Sequence, residues 1–509
     1  MANDTTGVFH FNAWKDKWLP LIRDDGATEW ASPVELLAGE KDGVDLDYPR
    51  DDFRIYARLL LSALVQALFA PNNKAELITR MERPLDRQEL EQRISPVEAD
   101  FDLFGESPFL QVKRVAESTR GAASFAFPTQ DLFRPPEPID AVSLPVALVA
   151  LFVEQAFAGG GGRGYGAGPA GQLGALTLID PGSVRLAAWA NTLAQEYAAP
   201  RYAADGPRPW SNAKRPAAPR QAIGLVEGLF FQPRAMWLEP AGHGVCSFSG
   251  AVGELVRFSP LLQKSELTKK ATKGQDDLWQ HPCSPLELKS QGIGVVRLNA
   301  KRPSWTGLAQ LLEPLSKVPK RKHPREGPAL VLQQWRTLAR KDKRPRLMVL
   351  DFDRDKANVK KRFFEAFPLT ELLLHDRDSI ERLRALSSDA QEIRTALVKA
   401  LVAARGGQRR DGFSLADADA AFWSASEGPF VRWLDGIVSG GAEQETERAS
   451  EAMHRELRAV ALRIFDAHVS LSEFDPRKQK SVAKARLGLA QKLHSRPVIR
   501  PQSAVTKES

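Results

Sequence analysis

Cysteine is almost absent from this 509-residue chain, with Cys246 and Cys283 the only two. One possible bridge is no disulfide framework, which excludes the disulfide-stapled secreted class and points to a reducing, cytoplasmic setting. No apolar run approaches the ~20 residues of a membrane-spanning helix. Met1–His10 is polar and lacks the basic-then-apolar pattern of a secretory signal, so none is expected. Catalytic signatures are equally scarce. The eight histidines form no H-E-x-x-H, the cysteines sit in no C-x-x-C, and neither G-x-S-x-G nor G-x-x-x-x-G-K-[ST] occurs. These gaps remove the zinc protease, the dithiol redox motif, the serine-hydrolase elbow and the P-loop. His281, in Trp279-Gln280-His281-Pro282, reads as a packed histidine beside a proline turn. No nucleophile with a positioned base assembles, so neither catalysis nor a cofactor is expected.

What the chain does have is positive charge in one place. The net charge is +8, yet Lys264 to Arg362 holds 24 lysines and arginines against 10 acids, a local +14 that leaves −6 for the rest. Concentrated charge of this sign suits a phosphate-facing surface, and equally a solvated face. A hydrophobic content of 43% supplies packed cores.

Periodicity predicts the organisation. Arg54 to Phe69 and Ala141 to Phe157 read as apolar helices, Pro200 to Arg220 as a surface loop, and Pro314 to Pro328 as a Lys- and Pro-rich loop. Gly224 to Leu238, Gly292 to Leu298 and Leu347 to Phe352 have the look of strands. After Asp376 helical spacing dominates. One stripe runs Ile380, Leu383, Leu386, Ala390, Ile393, Leu397, Leu401. A second stretch, Leu415 to Val438, is expected to break at Gly428-Pro429. Met453 to Ile464 and Val482 to Leu493 supply two more. The fold class expected is α+β: a large mixed α/β domain over 1–375, an all-α four-helix bundle over 376–496 and a disordered tail over 497–509.

Two local patterns bear on chemistry. Gly166-Ala167-Gly168-Pro169-Ala170-Gly171 fits G-x-G-x-x-G, but a helix precedes it, Pro169 interrupts it, and the acid Asp180 comes sooner than the ~20 residues the dinucleotide motif needs. The wider tract, Gly159 to Gly174, offers bare backbone that can approach a polymer closely, or simply a flexible loop. Asp351, Asp353 and Asp355 alternate at a strand end and carry the rival expectation of a metal-dependent nuclease, against which Arg354, Lys356, Lys360 and Lys361 stand ready to pair with them.

Several strings, in order along nearly the whole chain, resemble the CasA family, the large subunit of type I-E CRISPR surveillance complexes. They are Trp18-Leu19-Pro20-Leu21, Pro49-Arg50-Asp51-Asp52, Pro108-Phe109-Leu110-Gln111, Ile223-Gly224 with Gly228-Leu229-Phe230 and Gln232-Pro233, Trp279 with His281-Pro282 and Ser284-Pro285, and Pro303-Ser304-Trp305-Thr306. The resemblance implies a binding subunit. It would dock at the 5′ end of the guide RNA among the complex's backbone, small and 5′-handle-binding subunits, inspect duplex DNA for a flanking motif, start strand separation, and receive a helicase-nuclease. An assembly scaffold without DNA contact is the third possibility.

The resemblance also assigns residues. Gly160, Gly161 and Gly162 match the centre of the family's minor-groove glycine loop. Lys270, nine residues before Trp279, matches its motif-reading lysine, with Lys269 as a neighbour able to substitute. Asp355, Lys356 and Ala357 match the Asn-Gln-Ala of its wedge hairpin, so Lys356 replaces the inserting glutamine. Phe127 matches a phenylalanine near the guide-RNA 5′ end. Some relatives bind zinc through a C-S-C-C-G string. Here the string is Cys246-Ser247-Phe248-Ser249-Gly250, one cysteine is too few, and no metal is expected.

Overall fold

The computed structural model of the protein describes residues 9–111, 126, 139–157, 174–211, 223–233, 235–261, 279–289, 292–299, 301–314, 326–338, 344–355, 358–404, 415–440, 443–469 and 476–495. Two units emerge, one of Met1–Arg297 with Leu315–Phe367 and one of Leu298–Pro314 with Pro368–Ser509. The first runs β1 (Leu19–Ile22), β2 (Thr28–Ala31), α1 (Pro33–Leu37), β3 (Asp45–Leu46), α2 (Asp51–Phe69), α3 (Lys74–Glu82), α4 (Arg87–Ile94), β4 (Val142–Ser143) and α5 (Leu144–Ala156). It continues through β5 (Leu176–Asp180), α6 (Val184–Ala190), α7 (Gln195–Ala198), α8 (Leu225–Leu229), β6 (Ala235–Val245), β7 (Val252–Leu261), β8 (Leu286–Lys289) and β9 (Gly292–Val295). After α9 (Leu308–Leu312) of the second unit come α10 (Leu330–Thr337), β10 (Arg346–Asp355) and β11 (Asn358–Pro368). No described helix is long and apolar enough to cross a membrane.

The core of the first unit is built on α2. Its sequence is mostly apolar, with Arg54, Arg58, Ser62 and Gln66 in a row four residues apart, and 15 of its 19 residues are buried, the last three of that row among them. A helix buried on its polar row as well as its apolar faces must be covered on all of them, and α5, α6 and α8 pack against it. Small antiparallel sheets in the orders β2-β1-β3, β4-β7-β6 and β11-β10-β5 complete the unit, with the pair β8-β9. In β10, consecutive residues Leu347 to Leu350 are all buried, which is why the strand reads as an unbroken apolar run.

Burial on this scale encloses charge. Arg58 in α2 donates to Asp45 at 2.8 Å and lies 3.8 Å from Asp180, which also receives Arg346. Burial pushes the Asp45 carboxyl up, but the neighbouring Arg58 guanidinium, the Leu46 N–H and Arg54 outweigh it and hold the group below its ordinary value.

One expected strand is corrected. Residues 225–229 of the Gly224–Leu238 stretch form α8, and β6 begins only at Ala235. The helix is capped from a distance, Asp205 accepting from the Val226 and Glu227 N–H groups at 3.1 and 2.8 Å. Its two glycines are packing requirements. A Cβ on Gly224 would lie 2.0 Å from Asp205 Oδ1, and one on Gly228 2.1 Å from Nε1 and Cε2 of Trp279.

In the second unit α11 (Glu371–His375) precedes four long helices, α12 (Arg377–Ala404), α13 (Leu415–Gly440), α14 (Glu443–His468) and α15 (Pro476–His494). The whole predicted α12 stripe, Ile380 to Leu401, is buried. The break expected at Gly428-Pro429 does not occur, and α13 is continuous through Pro429. An internal proline costs a helix about 3 kcal/mol. Here the turns around it are tied by Ser426 Oγ donating to the Trp423 carbonyl, Phe430 stacking on Trp305 at 4.9 Å, and Trp433 Nε1 donating to Ser450 Oγ. The tryptophan of the Pro303-Ser304-Trp305-Thr306 string is therefore a core residue of the helical unit.

Gly228→Ala is expected to cost about 1–3 kcal/mol by overpacking the Trp279 indole, read by urea denaturation; unchanged stability would show that the indole moves freely. Asp45→Asn is expected to cost about 1–3 kcal/mol at neutral pH, as a charge-assisted bond to buried Arg58 is weakened. Because the folded-state pKa of Asp45 is depressed, its contribution is full above the ordinary value of 3.8 and is lost as pH falls through the lower folded value. Denaturation midpoints of the two proteins should therefore converge in that acid window; a constant gap would exclude Asp45.

Candidate nucleic-acid interface

The assigned contact residues belong to four chain segments. Phe127, Gly160, Gly161, Gly162, Lys269, Lys270, Lys356 and Ala357 lie outside the described residues, and of Asp355 only the backbone, closing β10, is described. The structure does place the residues from which those segments depart. Ala126 immediately precedes Phe127, Phe157 precedes the glycine tract, Trp279 follows the lysine segment, and β10 and β11 flank Lys356-Ala357.

These roots converge. Trp279 and His281 meet edge to face at 5.7 Å, His281 packs on Phe157 at 5.3 Å, Phe157 on Tyr56 of α2 at 5.0 Å, and Tyr56 stacks on Phe352 of β10 at 6.5 Å. One continuous aromatic row thus joins three of the four segments across the start of α2. Burial pushes His281 down to about 3, so the ring is neutral at physiological pH. Its Nδ1 accepts from the Cys283 N–H at 3.1 Å, which leaves the proton on Nε2. The packed reading of this histidine is the one the geometry supports.

The fourth root, Ala126, is fastened by charge. Its N–H donates to Glu154 Oε1 at 2.8 Å and its carbonyl accepts from Arg50 Nη2 at 2.8 Å. Arg50 grips Asp52 through Nε and Nη2 at 2.9 and 2.7 Å, and Arg362 of β11 reaches the same carboxylate at 3.6 Å. Next to Glu154, Gln155 donates to the carbonyl of Leu110 at 3.0 Å. Leu110 holds a left-handed φ of 58°, and Gln111 beyond it ties the Leu103 carbonyl to the Leu238 N–H. Arg50, Asp52, Glu154, Gln155 and Arg362 were assigned no role from sequence. The available signal was Glu154-Gln155 at the end of an otherwise apolar helix, since buried polar groups require partners.

The Cys246-Ser247-Phe248-Ser249-Gly250 string is the turn between β6 and β7. Cys246 is buried and its Sγ accepts from the Ser249 N–H, Gly250 takes φ +73°, and Phe248 packs on Phe53 at 4.4 Å with Arg50 over both rings. Cys283 is also buried, and both cysteines are free thiols. Of the three alternating acids, Asp351 is only 2% exposed and accepts from the Phe352 N–H, while Asp353 is half-buried.

A family model for the CRISPR-associated protein Cse1 matches residues 12–464. Among solved structures, CasA of Thermus thermophilus is 20% identical with a TM-score of 0.70, over 96% of this chain and all of that one. Cse1 of Thermobifida fusca is 17% identical with a TM-score of 0.71, over 96% and 98%. A chain of a CRISPR RNA-guided surveillance complex is 17% identical with a TM-score of 0.66, over 94% and 99%. The structures share the fold, and the family match spans both units: the chain belongs to the CRISPR-associated Cse1 (CasA) family, that of the large subunit of type I-E Cascade.

Proposed function

We propose that this Cascade large subunit inspects duplex DNA beside a potential target, in the cytoplasm and without catalysis of its own. Gly160, Gly161, Gly162, Lys270 and Lys269 contact the flanking motif, together with Asp355 and Ala357. Lys356 wedges beneath the first base pair, and Phe127 meets the 5′ handle of the guide RNA. A helicase-nuclease is recruited after the strands part. The observation that carries this reading is the convergence of the segment roots Trp279, Phe157 and Phe352 on one aromatic row beside the Ala126 fastening. Segments rooted together can face one ligand together. A minor groove offers a degenerate code, so backbone and lysine contacts there tolerate several motifs while the guide reads sequence by pairing. The nuclease alternative through Asp351, Asp353 and Asp355 is disfavoured because burial withdraws Asp351 from solvent. A plasmid-nicking assay with Mg²⁺ or Mn²⁺ tests it directly, and cleavage lost in Asp351→Ala with Asp353→Ala would revive it.

Lys270→Ala should cost about 1–3 kcal/mol of binding on a correct flank and weaken discrimination; an equal loss on correct and scrambled flanks would reduce Lys270 to a phosphate contact. Gly160→Ala and Gly161→Ala should impair target binding at an unchanged melting temperature, and normal binding by both would remove the glycine contact. For Lys356, R-loop formation on a supercoiled target should be near normal in Lys356→Gln and slowed in Lys356→Ala; an unimpaired alanine variant would take the wedge from this residue.

A further inference from the structure

The helical unit holds a positive charge that its own carboxylates leave uncovered. Arg302 precedes Pro303, which restricts it to extended backbone. Its N–H donates to the Asn299 carbonyl at 3.0 Å, and Asn299 Oδ1 accepts from the Lys301 N–H at 2.9 Å. A 3-10 turn over Ser304–Gly307 follows. Trp305 stacks there on Phe430 of α13, and the Thr306 carbonyl accepts from Ser387 Oγ of α12 at 2.7 Å. Seven residues, two turns, carry α12 from Ser387 to Arg394 on the same face, and eleven, three turns, carry α13 from Phe430 back to Asp419. There Arg394 Nε donates to Asp419 Oδ1 and ties the two helices together. Arg302, on the segment laid against both helices, lies beside that pair, whose two charges both act on it.

Two guanidinium groups against one carboxylate leave one positive charge in excess. Arg394 donates to Asp419 through Nε alone, and among the described residues the Arg302 guanidinium has neither a hydrogen-bond partner nor an ion pair. Burial pushes the Arg302 guanidinium below its ordinary value, the like charge of Arg394 pushes it further, and Asp419 offsets only part. A cation partly withdrawn from water beside a second cation destabilises the chain that carries it unless an anion is brought to it. Groups so at odds with their surroundings gather where a ligand completes the arrangement.

We propose that Arg302 and Arg394 form a phosphate site of the helical unit, which holds the backbone of a nucleic-acid strand without regard to its sequence. Arginine's planar fork matches paired phosphate oxygens, and contacts of this kind position a strand without reading it. Lys301, next in the chain, is exposed and extends the positive charge outward, as the successive phosphates of a polymer require. Lys301 and Arg302 also lie within the Lys264 to Arg362 stretch, where the chain's excess positive charge is concentrated. The site belongs to the second unit and stands independently of the contacts proposed for Lys270 and the glycine tract.

The test uses the full-length chain and short labelled probes free of any flanking motif: single-stranded DNA, single-stranded RNA and duplex DNA. Arg302→Met keeps an aliphatic stem without the charge. It should bind at least one probe about tenfold more weakly, the loss of one charge-assisted contact. On a single strand the slope of log affinity against log salt should fall by about 0.7. Arg302→Lys keeps the charge without the fork, so its slope should be unchanged and its affinity reduced; affinity equal to that of the unmodified chain overturns the site. Asp419→Asn removes the competing carboxylate and should tighten binding, and weaker binding with the fold intact overturns the proposal. Stability separates a binding role from a structural one. Arg302→Met relieves a like-charge contact, so its melting temperature should be unchanged or higher; a fall would place Arg302 in the service of the fold and overturn its assignment. A loss confined to one probe names the strand that is held, and no loss on any of them overturns the proposal. Unchanged binding to every probe, with weaker docking onto a guide-RNA-loaded complex lacking this subunit, would assign the two arginines to an acidic protein partner and likewise overturn the phosphate site.

Discussion

A helix with no solvent face governs the first unit. Because 15 of the 19 residues of α2 are buried, the remaining elements must cover it, and burial of each large apolar side chain contributes about 1.5–3 kcal/mol toward keeping them there. The same covering encloses whatever charge the helix carries. Asp52 and Arg58 lie under it, and each is met by one partner nearby in sequence and one from far along the chain: Arg50 and Arg362 for the first, Asp45 and Asp180 for the second. The ion pairs are thus consequences of the apolar burial. They add direction to a core that hydrophobic contact alone would leave less specified.

That arrangement explains why family-like strings were legible while their roles were not. Gly228 and Trp279 fall in two separate strings, and their contact is a single packing event in which an indole lies where a Cβ would be. Trp305 belongs to a third and stacks on Phe430 in the helical unit. Gln111, in a fourth, bridges two backbone groups of different elements. Gly228, Trp279 and Gln111 hold the frame of the first unit, and Trp305 that of the helical unit.

The long helices were legible because their burial follows a single period, as the fully buried Ile380–Leu401 stripe shows. Periodicity failed where a distant residue decided the local outcome. Residues 225–229 are apolar enough for a strand, and the cap that makes them helical comes from Asp205. Pro429 predicts a break, and packing from Trp305 and Ser450 holds the helix through it. The candidate site follows the same rule. Lysines and glycines could be ranked by local pattern and resemblance, whereas Arg50 only stood in a family-like string and Glu154 only ended an apolar helix, and their meeting, with Arg362 close by, shows only in three dimensions.

Glu154 and Gln155, adjacent on α5, hold Ala126 and Leu110, the two sides of the chain between them. Two points of the chain held by neighbouring residues of one helix keep a fixed separation. Lengthening a chain between fixed ends costs slowly, about 0.6 kcal/mol for each doubling when the chain is flexible. The closure at Leu110 and Ala126 thus does not depend on how many residues run between them. The same two residues mark the place to graft a foreign peptide: the scaffold already supplies the closure that an engineered insertion would otherwise need.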